Sequence, residues 1–251
     1  MTRKYGWKRD LPDARDFLSA PRAVQAKPLP AFIDLSYGFP VLPPDQGQLG
    51  SCTAFMCKAL IEYVWQATGS LSADPAALFI YYNTRVIEGT VEWDSGASIR
   101  NAIKSINVNG ACHEKEWPYD IRHFAEPPSD EAVLAAKDHQ ALEYARVPQD
   151  RYQMRAHLAG GKPFGIGFSV YDNFETIGRD GKLDMPDLAT MSVQGGHAVV
   201  VCGYDDAQEE FLVRNSYGPD WGYCGYFTMP YAYLLNPELA SDFWTIDAME
   251  A

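Results

Sequence analysis

DQGQLGSCTAF, residues 45–55, joins a glycine-bearing turn to the start of a predicted helix. Apolar side chains then recur at the spacing of one buried helix face, at Phe55, Ala59, Leu60, Tyr63 and Val64. Gly69 follows, and glycine is a common residue just after a helix ends. Cys52 therefore falls in the first turn, where the positive end of the helix dipole favours the nucleophilic thiolate.

Cys52 taken alone has a simpler interpretation, because unpaired cysteine is among the residue types most often buried in a core. Two later segments favour catalysis instead: GGHAVVV at 195–201 and RNSYGPDWG at 214–222. They place His197 at 197 − 52 = 145 positions after Cys52, with Asn215 following. Nucleophilic catalysis of this kind uses a thiol as the nucleophile, an imidazole as its base and a third polar group that orients the imidazole.

The order and spacing of these residues resemble papain-like cysteine peptidases, whose histidine and asparagine lie about 130–150 residues after the nucleophile. The resemblance extends from about Leu29 to the end of the chain and depends on several motifs in the same order. They are Gln46 six residues before Cys52, the segment 110–119 ending in Trp-Pro-Tyr, Gly203-Tyr204, Asn215-Ser216 followed by Gly-x-x-Trp-Gly, and the segment 224–227.

Such a resemblance implies an α+β fold of two lobes within one peptidase domain, residues 29–251. The helical lobe would cover about residues 40–140, and an antiparallel, barrel-like β lobe about residues 141–251. The active site would lie in the cleft between them, where ligand sites are common.

The resemblance also implies roles for single residues. Cys52 would be the nucleophile, His197 its acid–base partner and Asn215 the group that orients the imidazole. Gln46 would stabilise the oxyanion together with the backbone N–H of Cys52, and Trp221 and Tyr217 would shield the His–Asn bond. Peptide bonds would be hydrolysed through a thiolate–imidazolium pair and an acyl-enzyme, with no cofactor and no metal. The implied substrate-binding residues are Gly96, Ala97, Gly196 and Trp221.

Several positions depart from the family pattern. Leu49 stands where the family usually has a disulfide-bonded cysteine, and Thr53 and Tyr217 stand where it usually has tryptophan. Gly196 precedes the histidine where plant enzymes often have aspartate. None of these changes removes a catalytic group, but they leave side-chain specificity and pH optimum open.

Residues 1–28 precede the segment that resembles the start of the mature enzyme. They are too short and too rich in proline for the longer helical pro-region of the family. We expect either a strap that packs on the body through Tyr5, Trp7 and Phe17, or a short removable pro-segment. Whether this extension blocks the cleft is left open.

Local patterns predict the remaining elements. Asp74-Pro75 is typical of a helix start, and a third helix is expected after residues 94–97. Asp150 should cap a helix that ends before Gly160. Alternation then predicts a short strand at 144–147 and longer ones at 164–170, 198–202, 210–214 and 225–229.

The net charge of this protein limits the classes of partner that it can bind. The 21 Lys and Arg against 33 Asp and Glu give a formal net charge of −12. Nucleic acids and anionic membranes both need a basic surface, so we expect neither of those partners. The family resemblance implies a peptide or protein substrate. The oligomeric state is left open.

The five cysteines have no CxxC or metal-like spacing, and a reducing compartment without disulfides is the simpler interpretation. No apolar stretch is long enough for a membrane helix, and no secretory signal follows the basic start. The expected location is cytoplasmic, or exported by a route without a classical signal peptide.

Two alternative functions share parts of this pattern. One is a catalytically silent papain-like protein that binds peptides or partners. The other is acyl transfer of the transglutaminase type, which also uses a cysteine, a histidine and a third polar residue. The complete set of Gln46, Cys52, His197 and Asn215 argues against the first, and the Asn-Ser-x-Gly-x-x-Trp-Gly run argues against the second.

Overall fold

The computed structural model describes residues 3–19, 28–69 and 74–250. Helices dominate the first half of this part of the chain and strands the second. The α-helices are α1 Cys52–Thr68, α2 Ala77–Glu88, α3 Ile99–Asn109, α4 Asp130–Ala136, α5 Arg151–Ala159 and α6 Tyr231–Leu235. The strands are β1 Trp7–Lys8, β2 Phe32–Asp34, β3 Ala97–Ser98, β4 Ala141–Arg146, β5 Phe164–Tyr171, β6 Val193–Asp205, β7 Glu210–Arg214, β8 Tyr226–Pro230 and β9 Ala240–Met249.

Helix α1 is the central helix of the molecule. It begins at Cys52 and ends at Gly69, whose left-handed backbone (φ 82°) terminates it as the sequence predicts. Every residue from Cys52 to Glu62 is buried, so the first half of the helix is surrounded on all sides. The expected one-sided burial is therefore wrong for this half, because the β lobe covers the face that periodicity assigned to solvent.

One antiparallel sheet forms the second lobe. Its strands lie in the order β4-β9-β5-β6-β7-β8, with β2 added beside β6. The α+β architecture with an antiparallel β lobe is thus confirmed. Within the described residues the two end strands, β4 and β8, do not pair, so the sheet is open and does not close into a barrel.

The apolar core has two main parts. The first joins α1, α2 and α3 to the face of β6 and β9, including Ala198, Cys202 and Trp244. The second fills the β lobe itself and contains Phe168, Phe174 and Tyr217. Because the first part contains residues of both lobes, the cleft between them has a packed floor.

Several element boundaries differ from the sequence prediction. Helix α2 begins at Ala77 and has Ala76 as N-cap, because the carboxylate of Asp74 is bonded to the ammonium group of Lys58 on α1. Helix α4 has Ser129 as its N-cap and ends at Ala136. Asp150 does cap α5, accepting a hydrogen bond from the Gln153 N–H at 2.9 Å.

None of the described helices is long and apolar enough to cross a membrane. The five cysteines all lie within the described ranges and form no disulfide.

Two glycines that end helices provide a test of the packing. Gly110 ends α3 at φ 74°, and a Cβ there would lie 1.6 Å from the carbonyl oxygen of Ala136. Gly89 ends α2 at φ 67°, and a Cβ there would have no other atom within 4 Å. Gly89→Ala should cost about 1 kcal/mol from backbone strain alone. Gly110→Ala should cost about 3 kcal/mol or more, since a backbone clash adds to the strain. Urea unfolding of both variants measures the difference, and equal losses would contradict the packing of the end of α3 on the C-terminal end of α4.

Candidate active site

Cys52 is the first residue of α1 and has no exposed surface. The preceding turn is held from the helical lobe, where the carboxylate of Asp94 accepts the Gly50 N–H at 3.1 Å. Ser51 contacts Tyr119 through a hydroxyl pair 2.7 Å apart. These bonds fix the entry of the chain into α1 and so fix where the thiol points.

His197 and Asn215 meet across two neighbouring strands. His197 lies in β6 and Asn215 directly follows β7, which pairs antiparallel with β6. The imidazole Nε2 and Asn215 Oδ1 are 2.8 Å apart, and the same oxygen accepts the Ser216 N–H at 2.8 Å. The imidazole Nδ1 is buried and has no hydrogen-bond partner among the residues that the structure describes. The asparagine therefore fixes the ring and leaves its other nitrogen available.

An aromatic cage surrounds the imidazole. Tyr217 stacks on it with 4.8 Å between ring centroids, and Phe168 and Phe174 each approach at 5.8 Å. Trp221 lies behind Tyr217, edge-on at 5.5 Å. Tyr217, where the family pattern has tryptophan, is thus the ring that directly covers His197, while Trp221 packs against the cage.

Gln46 is buried and tied to the turn that carries Asn215. Its Oε1 accepts from the Ser216 hydroxyl at 2.6 Å, and its backbone N–H donates to the Ser216 carbonyl at 3.0 Å. Its Nε2 donates to the Leu49 carbonyl at 2.9 Å, which leaves one amide proton for another acceptor. The same residue thus connects the turn before Cys52 with the asparagine turn.

Burial determines the protonation states of Cys52 and His197. Burial is the largest influence on Cys52 and raises the pKa of its thiol, although the N–H groups of Ala198 and Gly6 lower it. Burial also lowers the pKa of His197 to about 4, against the smaller effect of its bond to Asn215. In this closed conformation both groups are neutral at pH 7. The helix N-terminus does not by itself produce the expected thiolate, because desolvation is the stronger effect.

The N-terminal strap, which we define as residues 3–19, lies in the cleft. The Gly6 carbonyl accepts the Ala97 N–H at 2.7 Å, and Trp7-Lys8 pairs in parallel with Ala97-Ser98. Tyr5 lies edge-on to His197 at 6.0 Å. The strap thus covers both candidate catalytic side chains.

Glycines allow this approach. A Cβ on Gly6 would lie 1.9 Å from the Gly50 carbonyl oxygen, and one on Gly96 would lie 2.0 Å from the Gly6 carbonyl oxygen. A Cβ on Gly196 would lie 2.6 Å from the Trp7 ring. Of the predicted substrate-binding residues, Gly96, Ala97 and Gly196 all contact the strap, whereas Trp221 packs against the aromatic cage.

Buried charges anchor the far end of the strap. Asp10 has a fully buried side chain and accepts from Trp244 Nε1 at 3.0 Å and Arg146 at 2.9 Å. Asp16 binds Arg146 and, in a forked contact at 2.6–3.2 Å, Arg100. Phe17 is 72% exposed, so the expected aromatic anchor at that position is wrong. Sequence reasoning missed these acids because their partners lie 84 to 234 residues away.

The described residues contain no group of three or more His, Cys, Asp or Glu that could hold a metal ion. The chemistry available at the site is that of a buried thiol, an oriented imidazole and nearby N–H donors.

The helical lobe and the antiparallel sheet bring a cysteine at a helix N-terminus together with a histidine–asparagine pair. This arrangement defines a cysteine-dependent hydrolase of the papain type. The profile of the papain family of cysteine proteases matches residues 40–236. The chain belongs to that family.

Similar proteins of known structure or sequence support this family assignment. The crystal structure of xylellain, a cysteine protease from Xylella fastidiosa, superposes with a TM-score of 0.91 at 40% identity, covering 98% of this chain and 97% of that one. An uncharacterized peptidase C1-like protein, L477, of Acanthamoeba polyphaga mimivirus is 35% identical over 98% of this chain and 87% of its own length. Cysteine proteinase 3 of Dictyostelium discoideum is 27% identical, and its match covers 54% of its own length.

The buried imidazole predicts a pH dependence of stability. An unfolded chain protonates histidine near pH 6.5, whereas His197 in the closed protein does so only near pH 4. As pH falls through this window, the unfolded state binds the extra proton and stability decreases, by up to about 3 kcal/mol. His197→Gln should therefore lose less stability than the wild type between pH 6.5 and 4.5, as measured by urea unfolding. The exposed His123→Gln is the control and should follow the wild type; equal slopes in all three proteins would contradict the buried neutral imidazole.

Proposed function

We propose that Cys52, His197, Asn215 and Gln46 hydrolyse peptide bonds in peptide or protein substrates, and that the N-terminal strap, residues 3–19, holds the enzyme latent by occupying the cleft. One observation carries the second part: Gly6 lies between Gly50, which leads into Cys52, and Gly96 on the opposite wall. A substrate backbone and the strap cannot both fit there.

The reaction begins with transfer of the thiol proton to His197, whose free Nδ1 is the available acceptor. The thiolate attacks the carbonyl carbon, and the oxyanion is stabilised by the Cys52 N–H and by the remaining proton of Gln46 Nε2. His197 then protonates the leaving amine, giving an acyl-enzyme that water hydrolyses. Asn215 keeps the ring oriented throughout.

Removal of the strap changes the protonation of the site. It readmits water to Cys52 and His197, and burial is the main cause of both unfavourable pKa shifts. The ion pair then becomes accessible, helped by the helix N-terminus. The strap would thus suppress activity twice, by excluding substrate and by keeping the pair neutral.

Further contacts hold the strap near its first residues. Arg3 binds Asp45 at 2.9 Å and lies over the Tyr217 ring, 3.9 Å from its centroid. Lys4 binds Asp94 at 2.6 Å. Both partners flank the turns that carry the site, and Asp94 also accepts the Gly50 N–H, a bond that does not involve the strap.

Gly6→Ala in the full-length chain should release the latent enzyme. The added methyl group would lie 1.9 Å from a backbone carbonyl, so the strap cannot keep its position. We expect kcat/KM on a fluorogenic peptide library to rise about tenfold or more, since each 1.4 kcal/mol lost by the closed state raises the open fraction tenfold while that state dominates.

Gly178→Ala is the matched control for this substitution. A Cβ there meets only a side-chain oxygen, at 3.3 Å, so activity should match the wild type. Equal activity of the wild type and Gly6→Ala, with the variant folded by thermal melting, would contradict the blocking role of the strap.

Alkylation identifies the nucleophilic cysteine without the need for a substrate. Near pH 6, a thiol-directed epoxysuccinyl peptide should add once to Gly6→Ala and at least about tenfold more slowly to the wild type, because only the open fraction reacts. Intact mass spectrometry measures both rates. Adding Cys52→Ala should abolish the adduct, whereas adding Cys224→Ala, at the exposed cysteine, should leave it; the reverse pattern would disprove Cys52 as nucleophile.

A further inference from the structure

A buried tyrosine hydroxyl links the two sides of the cleft from behind. Tyr81 lies on α2 and has no exposed surface. Its hydroxyl donates to the carboxylate of Asp94 and accepts the Gly96 N–H at 3.1 Å. The same carboxylate accepts the Gly50 N–H at 3.1 Å. A chain of hydrogen bonds therefore connects the turn before Cys52 with the opposite wall through one phenol and one carboxylate.

The two ends of this chain of bonds border the gap that the strap fills. We call residues 46–51 the nucleophile turn and residues 95–98 the facing wall. Gly6 fits between them so closely that a Cβ on it would lie 1.9 Å from the Gly50 carbonyl oxygen. A relative shift of the two sides by about 1 Å would misplace a substrate and can cost on the order of 100-fold in rate. No disulfide holds the gap, since all five cysteines are free.

The phenol ring and the loop that carries Asp94 are themselves held by a buried cation. Arg85, one turn further along α2, has no exposed surface and lies over the Tyr81 ring, 4.1 Å from its centroid. Its guanidinium donates to the carbonyls of Val91 at 2.9 Å and Trp93 at 3.2 Å, in the segment that leads to Asp94. None of these contacts involves the strap.

The strap binds the same carboxylate from the cleft side. Lys4 lies 2.6 Å from Asp94 Oδ2. Departure of the strap would remove this ammonium group and leave the carboxylate with the Gly50 N–H and the Tyr81 hydroxyl. Burial and the bond to Asp94 raise the pKa of Tyr81, so the hydroxyl keeps its proton and remains a donor. The link across the cleft therefore does not depend on the closed state.

We propose that Tyr81 is a positioning residue that sets the separation of the nucleophile turn and the facing wall in the open enzyme, and that it acts through Asp94. The inference rests on the proposed function, since it assumes that substrate enters where the strap lies. Loss of the hydroxyl would leave the Gly96 N–H without its acceptor and Asp94 with one donor fewer, so both sides of the gap would shift.

The kinetic test uses the full-length Gly6→Ala, Lys4→Gln chain, in which the strap no longer binds Asp94. Tyr81→Phe removes only the hydroxyl and should lower kcat/KM on fluorogenic peptides by about tenfold, the effect of one hydrogen bond to a charged group. Activity is expressed per mole of enzyme titrated with the epoxysuccinyl peptide. An unchanged kcat/KM would overturn the proposal.

A double-mutant cycle tests whether the hydroxyl acts through the carboxylate. Asp94→Asn in the same chain should lower kcat/KM at least as much as Tyr81→Phe. The two substitutions together should stay within about threefold of Asp94→Asn alone, because residues in one hydrogen-bond network are not additive. Losses that multiply would overturn the proposal.

Tyr231→Phe is the matched control. Tyr231 is 3% exposed, its hydroxyl donates to Asp206 at 2.9 Å, and the guanidinium of Arg151 lies 4.5 Å from its ring centroid. Asp206 follows β6, 206 − 197 = 9 positions after His197, or about 30 Å at the spacing of a strand. Urea unfolding should show similar losses of stability in the two variants. Equal losses of kcat/KM as well would assign the effect of Tyr81 to stability and overturn the proposal.

A binding measurement keeps this test separate from the proposed catalysis. Calorimetry on Gly6→Ala, Cys52→Ala, with and without Tyr81→Phe, would use a synthetic peptide of residues 3–10 that carries Lys4→Gln. The peptide should bind about tenfold more weakly without the hydroxyl and equally well in the control variant. That result supports the positioning role even if no peptide is hydrolysed. Equal affinities with and without the hydroxyl would overturn it even if hydrolysis is found.

Discussion

Direct packing of α1 on β5 and β6 is the contact on which the site depends. Gly165 permits it, because a Cβ there would lie 2.1 Å from the sulfur of Met56. With the helix this close, the Ala198 N–H approaches the Cys52 thiol and lowers its pKa. Sheet register then decides where the imidazole stands, since His197 is the residue next to Ala198. A helix one side chain further away would separate nucleophile and base.

Desolvation governs the chemistry of the closed form. The same burial that raises the pKa of Cys52 lowers that of His197, so neither group gains a charge while the strap is in place. The strap introduces buried charges of its own, and these are paired: Asp10 has a fully buried side chain and is bonded to Arg146 and Trp244. Removal of a single partner from such a buried pair is strongly destabilising, because it leaves an uncompensated buried charge.

Local sequence predicted most of the elements that position the site. The turn and helix at Cys52, the Asp150 cap and the strand β7 were all predicted, because each depends on near neighbours in the chain. Helix α2 was placed too early, since Asp74 bonds to Lys58 instead of capping. Strand β9 was not predicted, and Asp242 within it was missed for the same reason: its partners Trp7 and Asp10 lie 235 and 232 residues away.

The sequence by itself determined the family, the α+β architecture and the candidate set of Cys52, His197 and Asn215, because motif order and periodicity are properties of the chain alone. The tertiary structure decided whether these catalytic groups are charged or neutral. Whether a thiol is charged depends on water and on neighbouring dipoles, and these are fixed only when the lobes and the strap have packed together. The path of the strap was likewise decided there, since it depends on a backbone fit between Gly6 and Gly96 that no local pattern encodes.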